Sequence, residues 1–253
     1  MLELDCRFQL GFYGNEYSAG TLRLTTANVG GAAGLFSSHH ILKMGRHFSE
    51  YVENPVDRFT IETQDIYTPS PLPLLRTIKK HAPDITGAIG ESLGAIACRQ
   101  VLGLPSACIE PLKVFKKKKT PDFRIQWDAR NLLSSLGRTL TNPLPDFWPL
   151  ESKMRKDGSR QKTVFNEALQ QLATYWFYRA AYEPECLGFG LISYYENRSD
   201  ELRIYVLVPS NLQTLREIHD HYSSNGKEEG FTKRFKTGDG NFELDGLFED
   251  VSE

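Results

Sequence analysis

The most regular hydrophobic pattern in the chain runs over residues 160–181, RQKTVFNEALQQLATYWFYRAA. Val164, Ala168, Leu172 and Tyr175 recur there at helical spacing, which predicts an amphipathic helix. A second helix is expected in PDITGAIGESLGAIACRQVLGL, residues 83–104, opened near Asp84 or Thr86 and closed at Gly103. Its apolar residues surround it almost completely, as in a buried helix. Between the two lie a short strand in PSACIEPLKVF (105–115) and another in TPDFRIQWD (120–128). A loop rich in Ser, Asn, Gly and Pro (130–146) then leads into the strand FWPLESKM (147–154). GFGLISYYEN and ELRIYVLVP read as two further strands joined by the turn NRSD. Nearer the N-terminus, strands are expected over 4–14 and 21–29, a flexible break at GGAAG, a helix over 37–52 and a proline-punctuated connector at YTPSPLPLL. A helix-like segment, LQTLREIHDHY, lies near the C-terminus.

From about residue 84 to 209 this order is helix, strands, helix, strands. It predicts an α/β (α+β) arrangement of helices flanking one central mixed β-sheet. Residues 1–80 read as an N-terminal extension packed on or inserted beside a core spanning 81–215. Residues 216–253 read as a helix-like segment followed by an acidic tail.

Composition changes this picture little. The chain is 40% hydrophobic and 25% charged, with no apolar run approaching the roughly 20 residues of a membrane span. The N-terminus lacks the basic-then-apolar order of a secretory signal. Four cysteines, Cys6, Cys98, Cys108 and Cys186, are scattered with no CxxC, which suggests a reducing, cytoplasmic compartment. The net charge of −2 hides an uneven distribution. Five lysines fall between Lys113 and Lys119, five basic residues between Lys153 and Lys162, and five acids in the last fourteen residues.

Candidate chemistry begins with Glu151 and Lys153. Side chains alternate along a strand, so these two share one face while Leu150, Ser152 and Met154 share the other. The Leu150 and Met154 face suits a core, leaving the charged pair at a cleft or surface. It is either a simple ion pair or part of a metal-dependent site. Asp146 is too far along the strand to share an ion with Glu151. Asp122, opening the preceding strand after Pro121, can lie beside it, and Asp128 is a weaker alternative at that strand's far end. Glu91 is the sole charge between Asp84 and Arg99 on the first helix, a costly position unless something positive meets it. Gln171 and Tyr175 lie one turn apart on the last helix, in QLATY. His39, His40 and His47 have no compact zinc spacing, GGAAG lacks the lysine and serine of a P-loop, and Cys98 reads as core.

The order of these residues resembles the PD-(D/E)XK nuclease superfamily, and QLATY looks like its RecB-type branch. The resemblance rests on Glu91 in GESLG, Pro121 and Asp122 in TPDF, Glu151 and Lys153 in LESK, and Gln171 and Tyr175. It implies a restriction-endonuclease-like core and a catalytic set of Glu91, Asp122, Glu151, Lys153, Gln171 and Tyr175. Glu91, Asp122 and Glu151 would hold Mg²⁺ or Mn²⁺, and the lysine would position or activate a water. RecB-type members often carry a histidine where this chain has Glu91. The scattered cysteines do not match the iron–sulfur cluster of some members. The implied activity is metal-dependent phosphodiester hydrolysis, on DNA more than RNA, in restriction, antiviral defence or recombination. The alternative is a non-catalytic nucleic-acid-binding or assembly subunit of the same fold, and a protein partner or homo-oligomer is compatible with either. Lys116, Lys117, Lys118, Lys119, Arg155, Lys156, Arg160 and Lys162 flank the site as candidate phosphate contacts, which would make binding steeply salt-dependent.

Overall fold

The computed structural model describes residues 2–12, 14–25, 28–29, 32, 83–112, 120–137, 143–155, 161–180, 188–196 and 201–208. The expected helices over 37–52 and 212–222, the connector at 67–75, the NRSD turn, the three histidines, the lysine run and the acidic tail lie outside these residues.

Seven strands form one mixed sheet: β1 (Leu2–Leu10), β2 (Glu16–Leu24), β3 (Ile109–Pro111), β4 (Phe123–Gln126), β5 (Phe147–Arg155), β6 (Gly190–Glu196) and β7 (Glu201–Leu207). Their order across the sheet is β2-β1-β7-β6-β5-β4-β3. The β1–β7 and β5–β6 pairs are parallel and the others antiparallel. A parallel pair needs a long crossover, and α3 (Gln161–Ala180) lies in the one that joins β5 to β6. Two further helices among the described residues are α1 (Pro83–Gln100) and α2 (Ala129–Ser135). Among the described residues no helix is long and apolar enough to cross a membrane.

The first strands join this same sheet, since β1 pairs with β7 from Asp5↔Glu201 to Leu10↔Val206. The second strand begins at Glu16, five residues before the expected start. Its early positions are mostly exposed and carry no apolar alternation to read. Pairing with β1 holds it instead, helped by ion pairs of Arg7 with Glu16 and Arg23 with Glu3. The expected loop over 130–146 contains α2, whose N-terminus is capped by Asp128. That side chain accepts from the Arg130 N–H at 2.9 Å. Asp128 is therefore used as a cap.

The two sheet faces are different. On one, α1 and α2 pack over Leu4, Cys6, Phe8, Phe123, Ile125, Leu150, Leu191 and Ile204. On the other, Val164, Phe165, Ala168, Leu169 and Leu172 of α3 cover Ile192, Tyr194, Tyr205 and Leu207. Phe165 anchors that layer, with ring centroids 4.6 Å from Tyr205 and 5.5 Å from Tyr194. Cys6 and Cys98 are core residues, and burial pushes each thiol up to about 12.

The helix α1 comes unusually close to β5. A Cβ added at Gly94 would overlap Ser152 Oγ, with Ser152 Cβ at 3.4 Å and Leu150 Cδ2 at 3.5 Å. One added at Gly90 would stand 3.1 Å from Met154 Cβ. Small residues on this side of α1 are thus what lets helix and strand meet. Gly94→Ala is expected to lower unfolding free energy by about 1–3 kcal/mol from overpacking, partly offset by about 1 kcal/mol of helix propensity. Adding Ser152→Ala removes the overlapping oxygen, so the double variant should recover wild-type stability or exceed it. Urea unfolding of the two single variants and the double variant measures this coupling. Additive losses would show that the close approach does not set the helix position.

Candidate active site

The sequence of β5 places Glu151 and Lys153 on its α3 face, opposite Ile192 and Tyr194 of β6. The pair was expected at a cleft or surface. Instead α3 covers it, leaving Glu151 only 1% exposed and the Lys153 side chain 17%. Lys153 Nζ forms an ion pair with Glu151 Oε1 and donates to Gln171 Oε1 at 2.9 Å. Gln171 in turn donates through Nε2 to the Thr120 carbonyl at 2.7 Å. One amide thus ties α3 both to the ammonium and to the segment entering β4.

Asp122 stands where β4 begins, one residue before the Phe123↔Leu150 pair. There the two strands exchange side-chain bonds. Asp122 Oδ2 accepts from the Ser152 N–H at 2.8 Å, and Glu151 Oε2 accepts from the Asp122 N–H at 3.1 Å. Each carboxylate thus satisfies a backbone donor on the other's strand. Asp122, Glu151, Lys153 and Gln171, expected from the sequence to converge, do so.

Glu91 is buried at 2% exposure on α1. Its neighbours Gly90 and Gly94 pack on Met154 and Ser152, the face of β5 opposite the one bearing Glu151 and Lys153. Among the described residues no group of three His, Cys, Asp or Glu side chains is placed to hold a metal ion. Tyr175 is a partly buried member of the α3 layer. Arg155 and Lys162 belong to β5 and α3, but their side chains, with Lys116, Lys117, Lys118, Lys119, Lys156 and Arg160, lie outside the described residues. Two participants were not anticipated. Glu167, one turn before Gln171, adds negative charge near Lys153, and Thr120 supplies the carbonyl that orients Gln171. The spacing Glu167-x-x-x-Gln171 carried the first signal, whereas a backbone carbonyl leaves none in sequence.

The electrostatics are crowded. Burial, then the Asp122 charge, pushes the Glu151 carboxyl well above the ordinary glutamate range, against the pull of Lys153 and the Asp122 N–H. Burial opposes the charge on Lys153 too, but Glu151, Asp122 and Glu167 outweigh it and raise the lysine's pKa. An ammonium gains from Glu151 only while that carboxylate is ionised, so the two shifts pull against each other. Burial and the Asp122 charge thus hold Glu151 toward its protonated form, while its neighbouring acids hold Lys153 charged. Two carboxylates meeting beside an ammonium are donor chemistry suited to a hard divalent cation, although among the described residues two acids meet here rather than the three expected.

Comparison with family models, with curated proteins and with solved structures finds no match.

Because folding raises the Glu151 pKa, the folded state binds that proton more tightly than the unfolded chain. Its contribution is fully present below the ordinary glutamate value and is lost as pH rises through the raised one. Glu151→Gln keeps one acceptor, for either the Asp122 N–H or Lys153, and has no proton to lose. The lost acceptor offsets its stability by a constant, but its stability relative to wild type should rise with pH from about pH 4.3 upward. Urea midpoints of both proteins across that range test this. A difference that does not change with pH would remove the basis for a crowded carboxylate pair.

Proposed function

We propose that the chain is a metal-dependent nuclease with a restriction-endonuclease-like core, hydrolysing phosphodiester bonds in DNA more readily than in RNA. The observation that carries this reading is the meeting of Asp122, Glu151, Lys153 and Gln171 at one point, from three separate elements. A structural ion pair needs one acid and one base. Here a second acid is pressed against the first and an amide fixes the ammonium.

Asp122 and Glu151 are the residues that would hold Mg²⁺ or Mn²⁺. When bound, such an ion supplies Lewis-acid stabilisation of the negative charge on a phosphate. The rest falls to the chain itself. Lys153, aimed by Gln171, presents an ammonium donor to an oxygen of the scissile phosphate or to the attacking water, where negative charge develops. Gln171 holds that direction through its second bond, to the Thr120 carbonyl. Covered by α3, the site keeps water away from Glu151 and strengthens each of these interactions. The setting in restriction, antiviral defence or recombination belongs to the same proposal.

Labelled linear duplex, single-stranded and circular DNA, together with RNA, should be cut in Mg²⁺ or Mn²⁺ and left intact in EDTA. Lys153→Ala should slow cleavage at least about 10²-fold, with folding checked by circular dichroism. Cleavage in EDTA, or full activity in the variant, would sink the proposal. Metal-independent binding of nucleic acid with no cleavage would favour the non-catalytic subunit.

A further inference from the structure

Beside the carboxylate pair, the same face of the sheet continues onto β4 and β3. Arg124 follows Asp122 by two residues, so it shares that face about 7 Å further along the strand. Its guanidinium carbon lies 4.8 Å from the centroid of the Phe147 ring. Its edge is gripped by Glu110 of β3, which accepts from Nε at 3.0 Å and also pairs with a terminal nitrogen. The result is a flat, two-layer stack beside the site, with the Arg124 side chain still 34% exposed.

Two features separate this stack from an ordinary phosphate contact. Glu110 already neutralises the arginine, and its carboxylate, 57% exposed, would repel a phosphate brought close. Meanwhile the ring below and the carboxylate at the edge hold the guanidinium plane in one orientation, so little freedom is lost when a second flat group lies on it. A neutralised, fixed and partly exposed plane suits the face of an aromatic ring. In a nucleic acid, a base offers its face when it is unpaired and unstacked.

We propose that Arg124 and Phe147 form a stacking platform for an unpaired base of single-stranded DNA, next to the phosphate that the Asp122–Glu151 site would attack. This rests on the nuclease reading and deepens it: the substrate is a single strand, or a duplex end that has opened. Arg124 acts as a specificity residue touching the base, Phe147 supports its plane, and Glu110 positions it.

Binding without divalent metal separates the platform from catalysis. Fluorescence anisotropy would compare a short labelled thymidine oligonucleotide with an abasic strand of equal length and with duplex. Wild type should prefer the thymidine strand to the abasic one by about tenfold. Arg124→Ala should abolish that preference while leaving abasic-strand affinity unchanged. Arg124→Lys, which keeps the charge and loses the plane, should do the same, and Phe147→Leu should weaken it. Thermal melting checks that each variant folds. A preference that survives both arginine variants, with metal-dependent cleavage intact, overturns the platform alone. Wild type that binds neither strand overturns the platform together with the nuclease reading.

Discussion

Two carboxylates and one ammonium meet where β4 begins beside β5, Glu151 fully buried and Asp122 and Lys153 partly so, and much of the surrounding structure answers to that constraint. Buried charges are tolerated only when paired and hydrogen-bonded. Lys153 neutralises one acid, backbone N–H groups of Ser152 and Asp122 bond to both, and Gln171 prevents the ammonium from swinging toward water. The bond from Gln171 to Thr120 then fixes α3 against the strand that carries Asp122. Without α3 the charges would be solvated and Lys153 would lose its Gln171 partner.

The opposite face of β5 solves a different problem. Leu150, Ser152 and Met154 meet α1 so closely that glycines stand at both contact points. One strand therefore bears close apolar packing on one side and the charged cluster on the other. Any shift of β5 that relieved one face would disturb its neighbour, because successive side chains of a strand are rigidly alternated. The tight seat of α1 acts in this way as a support for the geometry of Glu151. Gly190 makes a similar close approach nearby, with Pro149 and the Trp176 ring occupying the space a side chain would need. Trp176 anchors that corner through a bond to the Phe189 carbonyl at 2.9 Å.

How far the site was legible depended on what each residue's sequence context encodes. Glu151 and Lys153 were readable because a period of two is a property of the strand itself. Asp122 followed from a Pro-Asp at a strand start with enough chain to return beside Glu151. Gln171 came with the longest regular helix. Glu91 shows the limit: helical periodicity says that a residue is buried, but not which side of a sheet its helix will cover. The depth of Lys153 was also hidden, since a charged residue on a strand reads as exposed until the covering helix is placed. Likewise β2 and α2 were misjudged where pairing and a capping aspartate, rather than apolar pattern, defined the element. The seven-stranded mixed sheet flanked by helices was legible as a class, while the joining of β1 to β7 required long-range pairing that no local signal carries.

Not every hydrogen bond of the cluster requires its charges. An asparagine at 122 could accept from the Ser152 N–H, and a glutamine at 151, with one amide oxygen, could accept from either the Asp122 N–H or Lys153. Such amides would spare the chain a buried Glu151 whose charge is opposed by that of Asp122. Elsewhere on the sheet the charges balance in a way stability alone can explain, as among Arg7, Arg203, Glu16 and Glu201. Those pairs are partly exposed, and each acid there has a guanidinium beside it. In the Asp122–Glu151 cluster Glu151 is almost fully buried, and desolvation with the Asp122 charge pushes its carboxyl well above the ordinary range. Groups perturbed in this way by desolvation and a like charge concentrate where chemistry is done. The fold accounts for the positions of Asp122 and Glu151, and their ionisable character is what the proposed function draws on.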